Sequence, residues 1–169
     1  MSNSRQRSLA DDANAVAVLN EAPVGFLGLV DDGPYVVPIN FAYEEPDDPD
    51  VDQNPARGRI LFHGGAGKKS GALAKDPRVC LAVTAGAVPK RGPTPCEDGF
   101  IFKSALVWGK AMLLRDREDR YAALRAIVAK YDPDAAALPF DEGDFERTLV
   151  YAIAIETVSY KERPRHREE

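Results

Sequence analysis

Residues 59–75, RILFHGGAGKKSGALAK, constrain the chain more than any other stretch. A short apolar run, Ile60, Leu61 and Phe62, ends in His63. Gly64, Gly65, Ala66 and Gly67 follow, then Lys68 and Lys69, then a segment able to be helical as far as Asp76-Pro77. The order reads as strand, glycine turn, two cations, helix. Glycines let the backbone approach an anion and take up φ > 0 where a turn needs it. Free N–H groups at a helix start favour negative charge, and lysine adds a compact full charge. The stretch has the chemistry of a phosphate seat. Its spacing is neither that of a Walker A loop nor that of a dinucleotide fingerprint. A β-to-α turn with solvated lysines would use the same residues, and Ser70 suits a helix cap as well as a phosphate contact. The remaining chain has to decide.

Most of that chain reads as strands. Residues 24–30 and 35–43 flank Asp-Asp-Gly-Pro, and Asp-Gly between apolar runs is a strong hairpin signal. Pro38 cannot donate to a ladder, so it marks an edge or a bulge. Asn40, between Ile39 and Phe41, either faces a ligand or simply alternates outward. Strands follow at 59–62, 78–85, 100–114 and 149–160. The long stretch 100–114 is one strand or two, with Gly109 at a bend or bulge. In the last strand Val150, Ala152, Ala154 and Glu156 alternate with Tyr151, Ile153, Ile155 and Thr157.

Three helices lie between these strands. One starts at Asp11 or Asp12 and stops before Pro23, one follows the glycine turn, and one follows Asp116 as N-cap. In the third, Tyr121, Leu124, Ile127, Val128 and Tyr131 share a face and belong to the core. Residues 44–58 form a long acidic, proline-rich loop, 86–99 a second loop, and the segment leading to 149 is loose. Six or seven mostly antiparallel strands with helices between them indicate a mainly β fold, a β-barrel with peripheral helices. The expected layout is a flexible N-terminus at 1–10, one domain at 11–161 and a charged tail at 162–169, where His166 has no role.

Composition excludes several classes of function. A length of 169 residues suits one domain with one sizeable core. The formal charge is 22 − 27 = −5, which argues against a nucleic-acid binder. No run is long and apolar enough to span a bilayer, and the first residues carry no secretory signal. Cys80 reads as a small core residue, and with Cys96 it forms no C-x-x-C or zinc pattern, so no metal is expected. Together these point to a cytoplasmic protein.

The order V-G-F-L, D-D-G-P-Y-V-V-P-I-N-F, I-L-F-H-G-G-A-G-K-K and D-P-R-V-C resembles the pyridoxamine-phosphate-oxidase-like flavoproteins, and within them the nitroimidazole-resistance branch. The later C-x5-F-K-S-A-L-V-W-G-K-A is similar to that family's long strand. The resemblance runs from about Ala15 to Lys161. It implies an FMN-binding split β-barrel that forms a homodimer, with FMN in two clefts between the subunits. Haem and deazaflavin are alternative ligands of the same barrel.

Carried over residue by residue, the resemblance sets Val37, Pro38, Ile39 and Asn40 along the flavin ring. It sets Phe62, His63, Lys68 and Lys69 around the phosphate and ribityl chain, and Ser104 and Trp108 at the partner's cleft. His63 is the candidate catalytic group, against a purely structural histidine. Trp108 is by default core or interface. The arginine, tyrosine and serine set with which the true oxidase holds pyridoxamine phosphate is not found. The expected activity is therefore FMN-dependent reduction of a small aromatic or nitro compound, the alternative being a non-catalytic flavin store or sensor.

Overall fold

The computed structural model describes residues 9–46 and 58–163. Helix α1 (Leu9–Glu21) leads into strands β1 (Gly25–Val30), β2 (Pro34–Ile39), β3 (Phe41–Glu44) and β4 (Arg59–Gly64). Helix α2 (Lys68–Lys75) is followed by β5 (Arg78–Lys90), β6 (Gly99–Leu113), α3 (Arg117–Tyr131), α4 (Glu142–Arg147) and β7 (Leu149–Arg163). The strands form one sheet in the order β2-β1-β5-β6-β7-β4-β3, and every pairing is antiparallel. The two outermost strands, β2 and β3, are consecutive in the chain with only Asn40 between them. Adjacent Cα atoms are about 3.8 Å apart, so both sheet edges are tied to one point and the sheet must roll up. The mainly β barrel follows from that tie.

The expected strand 35–43 is thus two strands, broken at Asn40. Pro38 stays in the ladder opposite Phe26, on the edge strand where a missing donor is tolerated. At the break the Tyr131 hydroxyl accepts a hydrogen bond from the Phe41 N–H at 3.0 Å and donates to the Phe41 carbonyl at 3.2 Å. It takes the place of the strand that diverges there. Tyr131 is therefore not the plain core residue expected of it.

Other expectations shift for local reasons. β5 continues through the predicted loop to Lys90, past a bulge between Ala85 and Val88 that includes Gly86 at φ 60°. Helix α4 lies in the segment read as loose; its six residues are too few to show a period, although Asp141 caps it by accepting from the Asp144 N–H. β7 extends to Arg163, into the expected tail. Gly109 does sit at a register shift, and a Cβ there would run into the Ala154 carbonyl oxygen. Asp116 caps α3 by accepting from the Glu118 and Asp119 N–H groups. Most of the 44–58 loop, residues 1–8 and His166 lie outside the described residues.

Two cores result. One fills the barrel with Leu27, Phe41, Ile60, Phe62, Leu81, Val107 and Ile153, with α1 and α2 packing on it through Val18, Leu19, Ala72 and Leu73. The other lies outside the barrel wall, where Leu124, Ile127 and Phe145 cover Leu61, Val150 and Ala152. The alternation expected of β7 is therefore absent at its start, where 150–153 are buried on both faces.

Candidate functional site

β4 ends at Gly64, and α2 begins at Lys68 after a turn of Gly65, Ala66 and Gly67. None of these glycines lies in the left-handed region, Gly67 being extended at φ 163°, so a left-handed turn does not explain them. Space does. A Cβ on Gly64 would lie 2.7 Å from Lys69 Nζ, and a Cβ on Gly65 or Gly67 would meet nothing within 4 Å. The first glycine makes room for a lysine, and the other two leave the approach to the helix start open. Ser70 Oγ accepts from the Gly67 N–H at 2.8 Å and donates to the Gly67 carbonyl at 2.9 Å. The serine is thus a cap, one of its two expected roles.

The two lysines separate. Lys69 Nζ donates to the His63 carbonyl at 3.0 Å and lies 5.4 Å from the Phe62 ring centre. Loss of hydration lowers its pKa, and no carboxylate pairs with it among the described residues. Lys68 turns the other way. Its Nζ lies 4.6 Å from the centre of the Tyr35 ring and 3.9 Å from Asp31 Oδ2. The second Asp31 oxygen accepts from Lys75 Nζ at 3.2 Å, so the tip of the β1–β2 hairpin holds both ends of α2. His63 is exposed at the end of β4. Desolvation first, and the Lys69 cation second, hold its imidazole below the ordinary value of 6.5, which keeps it neutral at pH 7.

A groove of about 540 Å³ opens beside this seat, on the outer face of the sheet. Val36, Gly28, Cys80 and Trp108 lie in one row across β2, β1, β5 and β6. Gly28 has no side chain to fill the row and leaves a trough floored by backbone, lined by Val30 and Val36 as well as Trp108. Tyr35 belongs to both places: the residue lines the groove, while its ring, on the inner face of β2 with Val37, carries Lys68. Apolar walls and the Trp108 ring, with the cations of the β4–α2 turn nearby, suit a flat ring system bearing an anionic tail.

The ten residues singled out from the sequence are distributed unevenly. Lys68, Lys69 and His63 come together at the β4–α2 turn, and Trp108 lines the groove. Val37 and Ile39 face the barrel interior, while Pro38 and Asn40 are exposed. Phe62 is fully buried, stacked on Tyr151 with ring centres 5.0 Å apart, so only its backbone could reach a ligand. Ser104 lies further along β6, with its Oγ 3.4 Å from the Lys161 carbonyl, and does not line the groove. Tyr35, Val36, Gly28 and Cys80 were missed. The alternation 26-28-30 against 34-36-38 across the hairpin carried that signal for Gly28 and Val36. Cys80, read as core, is half-buried in the groove wall, and burial raises its thiol pKa.

Among the described residues no helix is long and apolar enough to cross a membrane, and no three His, Cys, Asp or Glu side chains cluster as a metal site. An antiparallel barrel tied at one residue, with a glycine turn beside an apolar groove, defines a split β-barrel. The chain belongs to the pyridoxamine 5'-phosphate oxidase family, whose model matches residues 11–162.

Solved structures agree on the fold. A candidate 5-nitroimidazole antibiotic resistance protein from Bacteroides thetaiotaomicron superposes with a TM-score of 0.72 at 24% identity, over 89% of this chain and 82% of that one. A flavocytochrome from Azotobacter vinelandii gives 0.73 at 24% identity, over 94% and 71%. An FAD- and haem-binding protein from Mycobacterium smegmatis gives 0.72 at 24% identity, over 98% and 75%. No curated protein matches the chain.

Proposed function

We propose that this chain is an FMN-binding flavoprotein that acts as a cytoplasmic homodimer and reduces a small aromatic or nitro compound in the cleft between subunits. One observation carries the reading: a glycine-lined turn with a carboxylate-free lysine stands near an apolar groove walled by Trp108, and Tyr35 belongs to both. Lys69 and the free N–H groups of the turn would hold the phosphate. The backbone of Val37, Pro38, Ile39 and Asn40 would run along the ring. Bound flavin would supply the transfer of an electron pair from donor to acceptor. The chain itself would supply orientation, exclusion of water by Trp108 and Val36, and a positive field from Lys68 and Lys69.

The bare outer face of β1, β2, β5 and β6 supports the dimer. Phe26 is 52% exposed, Val36 62% and Trp108 39%, a continuous apolar surface of the kind that marks an interface. A partner seated there would cover the groove. Ser104 would reach a ligand only from that partner.

Haem is the second reading, because His63 is neutral, exposed and the only histidine among the described residues. The visible spectrum of the purified protein, taken before and after FMN loading and desalting, separates these readings. Flavin bands that survive desalting are expected. A Soret band that disappears in His63→Ala would replace flavin by haem, and a protein that retains neither would overturn both. Reduction of bound FMN by a nicotinamide nucleotide, followed by reoxidation with a nitroaromatic compound, separates a reductase from a store or sensor.

A further inference from the structure

The two cations of the seat are not equivalent, and the group that makes them so is a carboxylate outside it. Asp31 stands at the tip of the β1–β2 hairpin with its side chain only 16% exposed. One oxygen lies 3.9 Å from Lys68 Nζ and the other 3.2 Å from Lys75 Nζ. Both lysines are largely exposed, at 63% and 65%, so neither is fixed by packing. Asp32, beside it in the turn, also acts on Lys75. Lys69 lies on the far side of the turn on the His63 carbonyl, with no carboxylate partner among the described residues. The first turn of α2 therefore presents one uncommitted lysine and one whose charge is shared with Asp31. A single phosphate needs no more than that.

We infer that Asp31 is a specificity-determining residue that sets the charge of the phosphate seat by dividing itself between Lys68 and Lys75. The inference rests on the reading of the turn as a phosphate seat. It goes beyond that reading by assigning control to a residue that would not touch the ligand. Lys75 draws Asp31 towards the C-terminal end of α2 and so leaves Lys68 loosely held, 3.9 Å from its nearer oxygen. Removing the carboxylate frees Lys68 to turn to an anion. Removing Lys75 gives the carboxylate wholly to Lys68.

These two changes should act in opposite directions, which a role confined to holding α2 would not produce, since both remove the same Asp31–Lys75 contact. The experiment measures affinities for FMN and riboflavin through quenching of Trp108 emission, in full-length wild type, Asp31→Asn and Lys75→Met. The affinity ratio of the two isolates the phosphate. Stabilisation by inorganic pyrophosphate, read from thermal unfolding, tests the seat without any flavin. Exposed ion pairs of this kind change binding by roughly two- to fivefold. Asp31→Asn should raise the FMN-to-riboflavin ratio and the pyrophosphate effect by that factor, Lys75→Met should lower both, and added salt should shrink the differences.

If Asp31→Asn leaves the phosphate preference unchanged, or if both variants weaken it together, the inference is overturned. A wild type that binds neither flavin would sink the proposed cofactor. The opposite pyrophosphate responses of the two variants would then still establish the control by Asp31, and their absence would remove it.

Discussion

The sheet has two halves that differ in what covers their outer face. Over β4 and β7 the outer face is a second core: Leu61, Val150 and Ala152 are buried beneath Leu124, Ile127 and Phe145. Over β1, β2, β5 and β6 the outer face also carries apolar side chains, Phe26, Val36, Leu106 and Trp108, but they are bare. One sequence pattern thus has two outcomes. Continuous apolar strands are satisfied by the chain's own helices in one half, while in the other the same character lies at the surface beside the groove. A fold that spends α3 and α4 on one half leaves the other open, where the proposed ligand and second copy would sit.

The largest effect expected from this contrast is on stability. Leu61→Ala in the covered half opens a cavity on a fully buried site and should cost about 2–5 kcal/mol. Val36→Ala, at 62% exposure, should change the stability of the dilute monomer by about 0.5 kcal/mol or less. Urea unfolding of both variants measures the gap. Equal losses would mean that the outer face of β2 is covered within a single chain, and the contrast would fail.

The covered half was the harder one to read. Its burial depends on α3 and α4 arriving from residues 117–147, and no local pattern in β4 or β7 announces them; β7 alternates in sequence, yet both of its faces are buried at 150–153. The bare half was legible in principle. The Asp-Gly turn fixed the hairpin and its two-residue period, from which Phe26, Val36 and Trp108 follow. The seat was legible as a pattern because it is contiguous, 59–75. Its tie to Asp31 and Tyr35 was not, because Asp31 and Lys75 are 44 residues apart and meet only through the barrel. Phe62 shows the opposite case. It lies within the contiguous stretch, but strand alternation turns its ring into the core.

A smaller effect should appear in assembly. Phe26→Lys combined with Val36→Lys places two charges on the bare face while leaving the barrel interior untouched. An apolar side chain of this size contributes about 1.5–3 kcal/mol when buried. Self-association should therefore weaken at least about tenfold, read by sedimentation equilibrium, with the far-ultraviolet spectrum unchanged. Retained FMN in such a monomer would show that the groove needs no partner, and would separate the cofactor proposal from the dimer proposal.

The smallest effect concerns how the covered half is pinned. Lys130, near the end of α3, donates to the Leu19 carbonyl at 2.8 Å and lies 3.5 Å from the centre of the Phe41 ring. Burial holds its amine well below the ordinary value of 10.5, at about 8. A depressed lysine pKa means that the folded state disfavours the charged form. Below about pH 8 both states bind the proton, and the folded state bears the full penalty. Between about 8 and 10.5 only the unfolded chain keeps it, so this group makes stability rise with pH through that window. The half-exposed amine should give a rise well short of the full linkage value, because solvent screens it. Lys130→Met should flatten that rise in denaturant midpoints measured from pH 7.5 to 10. An identical pH dependence in the variant would show that the amine is solvated like any surface lysine, and that Tyr131 alone fixes the end of α3 to the broken strand.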